Sequence, residues 1–204
     1  MVEHETNLKI SLILMSAGTS QRMKECKQLM KLPNGDILAE YTLKKYLKFP
    51  FHEIIVVLGR EKEKLQEILK KYNVKTVYNE NYVNGIGTSV ACGVKNLSKN
   101  SCACMMALAD MPKISIEIIS KLINFYKINQ ENIIIPTKNN RRGNPTIFPS
   151  RFYGELQELK ADKGGSIVIK NNPKFVKEIE VESDDIFFDI DNKETWENFI
   201  MECW

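Results

Sequence analysis

Apolar residues in this chain fall into short continuous runs, separated by stretches in which they recur every three or four positions. The runs Ile10 to Met15, Glu53 to Leu58, Lys75 to Tyr78, Cys102 to Leu108 and Ile133 to Ile135 have the length of buried strands. Between them, Ile37 to Leu47 and Lys62 to Tyr72 set apolar residues at helical spacing against charged faces. Ser115 to Ile128 follows the breaker Pro112 and starts on a serine, a helix-start signal. Such alternation predicts an α/β fold, a mostly parallel sheet with helices on both faces. Thr146 to Phe148 and Phe175 to Val181 are expected to add strands, one of them antiparallel, and Glu194 to Cys203 a last helix. No linker, repeat or low-complexity tract interrupts the pattern. Residues 1–204 therefore read as one domain, long enough for a substantial core.

The end of the first predicted strand changes character. Leu14 to Gln28 breaks into the small residues Ser16, Ala17 and Gly18 and then carries Arg22 and Lys27, five positions apart. Small side chains let backbone N–H groups approach phosphate oxygens, while arginine offers a planar fork and lysine a mobile point charge. The pattern suits a triphosphate cradle; the alternative is an ordinary strand-to-helix connection with solvated cations. A Walker loop is excluded, because Met23 and Lys24 stand where a second glycine, lysine and hydroxyl residue would be needed. A dinucleotide fingerprint is excluded as well, because Gly18 stands alone between Ala17 and Thr19.

Composition narrows the classes of function. Lysine and arginine total 29 against 26 acids, and the charges alternate, as in Glu61-Lys62-Glu63-Lys64, which reads as a solvated helix face. Neither a basic stripe nor an aromatic-interleaved RNA motif appears, so nucleic acid is not an expected partner. The stretch Met1 to Thr6 carries acids and lacks the apolar core of a signal peptide, and no uncharged apolar run approaches the roughly 20 residues of a membrane span. The five cysteines, at 26, 92, 102, 104 and 203, are odd in number and have no Cys-x-x-Cys spacing, which speaks against structural zinc. Cys102 and Cys104 fall in a predicted strand and read as reduced core residues. A cytoplasmic setting is expected. The two histidines, His4 near the N-terminus and His52 in the Pro50-Phe51-His52 connection, leave a serine hydrolase without a well-placed base.

The loop resembles the opening motif of the molybdenum cofactor cytidylyltransferases, Leu-Ala-Ala-Gly-x-Ser-x-Arg-Met-Gly-x-x-Lys, matching at Leu14, Ala17, Gly18, Ser20, Arg22, Met23 and Lys27. Ser16 replaces the first alanine, and Lys24 replaces the glycine after Arg-Met. The likeness continues in order through Gly85-Ile86-Gly87-Thr88-Ser89, Leu108-Ala109-Asp110-Met111-Pro112 and Arg142-Gly143-Asn144-Pro145 with Phe148. It ends with Asp162-Lys163-Gly164-Gly165, where Ala161 replaces a glycine, and Phe188-Asp189-Ile190-Asp191.

The resemblance implies a three-layer, Rossmann-like nucleotidyltransferase fold and a Mg²⁺-dependent transfer of CMP from CTP to the terminal phosphate of molybdopterin, with a molybdenum hydroxylase as candidate recipient of the product. It implies a nucleotide site of Ser16, Ala17, Gly18, Thr19, Ser20, Arg22, Lys27, Gly85, Thr88, Ser89 and Asp110. Within that site Lys27 and Arg22 offset phosphate charge, and Asp110 and Asp191 hold the metal, with Asp189 competing for the second place. It implies a pterin site of Arg142, Gly143, Asn144, Pro145, Asp162, Gly164 and Gly165. Chemistry agrees with the residue types, since Mg²⁺ keeps several waters and takes one or two carboxylates. In open α/β sheets, loops beyond the strands' carboxyl ends gather the ligand, so Gly18, Asp110 and Asp191 are expected to converge. Ser89 reads equally as an N-cap for a helix running toward Val94. Ala17, where guanylyltransferases carry glycine, leaves less room for a purine and favours CTP. Another nucleotide, another phosphate acceptor, or a non-catalytic cofactor-delivery protein remain as alternatives.

Overall fold

Strand β1 (Ile10–Ser16) is buried on both faces, Leu12 and Leu14 packing into one layer and Ile13 into the other. A strand covered on both sides has to lie inside a sheet flanked by helices. The computed structural model, which describes residues 8–18, 23 and 25–204, shows that sheet. Beside β1 lie β2 (Ile54–Leu58), then β3 (Lys75–Tyr78), and on its other side β4 (Ala103–Leu108), all parallel. Beyond β4 come β7 (Thr146–Pro149), antiparallel to it, and β5 (Ile133–Lys138). The two-residue β6 (Arg141–Arg142) pairs antiparallel with β5, and β8 (Val176–Glu180) pairs parallel with it. The expected mostly parallel sheet with an antiparallel member is therefore present, as are all seven strands read from the sequence.

Helices α1 (Leu38–Tyr46), α2 (Lys62–Leu69) and α4 (Ile116–Ile128) cover the face of Leu12 and Leu14 through Leu43, Leu65 and Leu122. On the opposite face α3 (Ile86–Lys95), α5 (Tyr153–Gln157) and α6 (Ser166–Asn171) pack Val90, Leu156 and Val168 against Ile13, Val57 and Met106. The last helix, α7 (Lys193–Cys203), forms a separate small cluster in which Phe199 meets Leu32, Leu38 and Ile190. Ser115 caps α4 by accepting from the Ile118 N–H at 3.2 Å, as its sequence signal implies. Cys104 lies wholly buried in β4, and burial pushes its thiol up to about 12, the behaviour of a core residue.

Three local expectations change. The helix toward Val94 starts at Ile86 with Gly85 in the N-cap position, so Ser89 sits a full turn inside α3 and caps nothing. Asp191, expected beyond the end of a strand, instead follows an irregular segment outside the sheet, tied down by Ile190 N–H donating to Asp110 O at 2.9 Å. Lys62 to Tyr72 is helical only as far as Leu69.

Ala161 stands where the motif it resembles has glycine. Its φ of 53° lies in the left-handed region, where a β-carbon crowds the backbone and glycine does not. Ala161→Gly is expected to stabilise the protein by about 0.5–1 kcal/mol, the relief of that crowding less the added freedom of the unfolded chain. Denaturant unfolding of the two proteins checks this; an unchanged or lower midpoint would refute it.

Candidate active site

The chain leaves β1 toward β2 on one side while β4 lies on the other, so a crevice opens at the carboxyl ends of β1 and β4. A cavity of about 470 Å³ occupies it. Ala17 and Gly18 beyond β1, Asp110 beyond β4, and Gly85 and Ser89 at the start of α3 line its wall. Five expected nucleotide-site residues, distant in sequence, thus share one space. Thr19, Ser20 and Arg22 lie outside the described residues, as does Lys24.

Lys27 stands on a single 3₁₀ turn, Lys27–Leu29, and is buried to 7% exposure. Its Nζ lies 2.5 Å from Asp110 Oδ2 and 3.0 Å from Asp191 Oδ1. Burial works against its charge, but the Asp110 carboxylate, with Asp191 behind it, outweighs this and holds the ammonium above its ordinary pKa. Asp189 borders the cavity as well. Burial first, then repulsion from Asp191 and Asp110, raises its carboxyl above the usual aspartate range.

Packing fixes these acids in place. Ala109 N–H donates to Met15 O at 3.0 Å and Thr42 Oγ1 to Ala109 O at 3.0 Å, joining the Asp110 turn to β1 and α1. Lys45 donates to Pro112 O, and the Lys113 ammonium lies 4.1 Å from the Phe188 ring centroid. Asp191 precedes α7, whose N-cap Asn192 and Thr195 form a reciprocal capping box, and Phe199 anchors that helix in its apolar cluster.

Two carboxylates sharing one cation form a donor set that suits Mg²⁺ or Mn²⁺, hard ions that take few protein oxygens. Among the described residues no group of three or more histidine, cysteine, aspartate or glutamate side chains forms a metal cage. The fit is thus to an ion sharing its shell with water and phosphate, and Asp110 and Asp191 are the residues that would hold it.

Other expected residues separate. Met15 borders the cavity, so Ser16, the next residue of the strand, points to the opposite face; its Oγ is buried with no hydrogen-bond partner among the described residues. Thr88 lines a different groove, and its hydroxyl is occupied by Asn79 Nδ2 at 2.8 Å and by the Gly85 and Asn81 carbonyls. Ser89 accepts from Asn79 Nδ2 at 3.0 Å. The expected pterin residues divide because the segment 160–163 folds over the start of α3. Gly87 N–H donates to Ala161 O at 2.9 Å, and a β-carbon on Gly85 would come within 2.3 Å of Asp162 Oδ1. Asp162 therefore lines the main cavity, while Gly164 packs by Ile86 and Gly165 by Phe148. Arg142, Gly143 and Asn144 instead line a depression of about 200 Å³ that shares Leu108 and Asp189 with the main cavity. Pro145, joined to Asn144 by a cis peptide bond, is buried behind it.

Sequence reasoning missed Gln28, Tyr82 and Ile86 as cavity walls. Gln28 adjoins Lys27 and packs so near Gly18 that a β-carbon there would lie 3.1 Å from its Nε2, a closeness that chain order gives no sign of.

A family model described as the MobA-like NTP transferase domain matches residues 12–176. The molybdenum cofactor cytidylyltransferase of Escherichia coli (strain K12) is 28% identical over 138 residues, 68% of this chain and 69% of that protein. The bifunctional protein GlmU of Francisella tularensis subsp. holarctica (strain OSU18) is 23% identical over 155 residues, 76% of this chain and 33% of that protein. This chain therefore spans about a third of that relative. Among solved structures, Rv0371c from Mycobacterium tuberculosis H37Rv superposes with a TM-score of 0.81 at 19% identity, covering 95% of this chain and 98% of that one, and has also been solved in complex with manganese.

Removing the ammonium tests the acid pair without recourse to turnover. In chelator, Lys27→Met is expected to lower stability by about 1–3 kcal/mol, because two partly buried carboxylates lose their counter-ion. Mn²⁺ should raise the melting temperature of this variant more than that of the parent. Equal shifts in both proteins would show that Asp110 and Asp191 do not hold the ion.

Proposed function

The chain belongs to the family of MobA-like NTP transferase domains, and from that premise we propose that this nucleotidyltransferase moves CMP from CTP to the terminal phosphate of molybdopterin. The observation that carries the reading is the Lys27 ammonium held between Asp110 and Asp191 in the strand-end crevice. The relation to the Escherichia coli cytidylyltransferase supports the choice of substrates.

In the reaction an oxygen of the acceptor phosphate bonds to the α-phosphorus of CTP, and the bond from that phosphorus to the bridging oxygen breaks, releasing pyrophosphate. A divalent ion, when bound, supplies positive charge against the phosphate oxygens. The chain's own residues do the rest. Ala17 and Gly18 offer backbone to the phosphates, and Lys27 offsets the negative charge that grows as the bond breaks. Arg22 takes the leaving pyrophosphate by the same family resemblance. No general base is needed, because a phosphate monoester, with a second pKa of about 6, is already ionised near neutrality. Neither histidine is called upon. The β-carbon of Ala17 narrows the cavity and favours a pyrimidine over a purine. A cytoplasmic setting accompanies this reading, in keeping with five free cysteines; among the described residues no helix is long and apolar enough to cross a membrane.

Incubating the protein with Mg²⁺, molybdopterin and each of the nucleoside triphosphates should release pyrophosphate preferentially from CTP. Equal turnover of GTP would remove the role given to Ala17, and silence with every nucleotide would favour a cofactor-delivery protein. Lys27→Ala should lower turnover by about 10²- to 10³-fold, the loss of one preorganised charge-stabilising donor. Asp110→Asn should abolish metal-dependent turnover while leaving the far-UV spectrum unchanged, and near-parental activity would refute the metal assignment.

A further inference from the structure

The hairpin from β5 to β6 turns through Asn139 and Asn140, with φ of 52° and 62°. Two successive left-handed residues make the tight loop whose twist matches a hairpin, and asparagine tolerates that region better than most residues. Thr137 pairs with Arg142 and Lys138 with Arg141, so a stiff ribbon carries the two arginines on opposite faces.

Their charges are used differently. Arg142 Nε donates to Glu178 at 2.7 Å, which neutralises it. The Arg141 guanidinium lies over the Phe187 ring, 4.2 Å from its centroid, and among the described residues no carboxylate pairs with it. Stacking fixes the plane of the fork while leaving its N–H donors available. The platform beneath is secured as well. A β-carbon on Gly143 would come within 2.6 Å of Ile186 O, so glycine lets that chain lie close, and Asn144 N–H donates to Ile186 O at 3.0 Å.

Arg141 and Phe187 both border the small depression that shares Leu108 and Asp189 with the main cavity. A planar, oriented guanidinium with no carboxylate partner among the described residues, beside the crevice of a nucleotidyltransferase, suits bidentate recognition of a phosphate. We propose that Arg141, rather than its ion-paired neighbour Arg142, holds the phosphate of the acceptor at this depression. The inference rests on nucleotidyl transfer as the activity but not on molybdopterin as the acceptor.

Phenylglyoxal labelling mapped by mass spectrometry tests it on the whole chain without substrates. Inorganic phosphate should cut labelling of Arg141 by more than half and leave Arg142 unchanged, whereas chloride at equal ionic strength should protect neither. In steady-state assays with CTP and molybdopterin, Arg141→Gln should raise the KM for the acceptor about tenfold or more, the loss of one charge-assisted contact, with the KM for CTP unchanged. Arg141→Lys should recover part of that loss, and Arg142→Gln should have the smaller effect. Labelling of Arg141 that ignores phosphate, or an acceptor KM that ignores Arg141→Gln, would overturn the proposal. Phosphate protection of Arg141 in a protein inert toward molybdopterin would keep the subsite and displace only the identity of the acceptor.

Discussion

One buried ammonium organises this molecule's working end. Lys27 is gripped by Asp110 from the turn after β4 and by Asp191 from the start of α7, a residue 164 positions away in the chain. Two carboxylates drawn together in a partly desolvated crevice repel each other, and the neighbouring Asp189, its carboxyl raised first by burial, is pushed up further by both charges. A cation between them makes the arrangement tolerable. The same acids that need a counter-ion in the resting protein are those proposed to hold a divalent ion, so on that reading folding and chemistry would draw on one electrostatic requirement.

Much of the surrounding structure holds those charges still. The Asp110 turn is bonded to β1 through Ala109 and to α1 through Thr42. Ile190 N–H reaches the Asp110 carbonyl, and the Asn192 capping box with the Phe199 cluster sets where Asp191 emerges. None of these contacts touches a phosphate. They restrict where the carboxylates can go, and electrostatic stabilisation depends on such restriction because charges that need not reorganise act more strongly on a changing substrate.

The cavity's far wall follows from backbone proximity rather than from charge. Gly85 and Gly87 allow the segment 160–163 to rest on the start of α3, which carries Asp162 to the main cavity and away from Arg142. The smaller depression is walled by a hairpin whose two arginines have different partners, Glu178 for Arg142 and the Phe187 ring for Arg141. A cavity of about 470 Å³ with a smaller annex of about 200 Å³ is the space left between these elements.

Hydrophobic periodicity alone established the alternating elements, because a strand covered on both faces and an amphipathic helix leave different patterns in the chain. Residue type makes the small residues and cations around Gly18 and Lys27 candidates for a phosphate cradle, whereas Asp110 before Met-Pro reads equally as a turn residue and is singled out only by the motif resemblance. Tertiary structure decided what no local pattern encodes. Thr88 and Ser89 look alike beside one glycine-rich turn, yet the Asn79 side chain and the true start of α3 give each its partner and send Thr88 to another groove. Arg141 and Arg142 are adjacent and chemically identical, and only the strand pairing that turns them to opposite faces distinguishes them. Local sequence fixes the period and the residue type; which side chains meet depends on long-range packing, where a single carboxylate or ring decides whether a charge is neutralised or kept for a ligand.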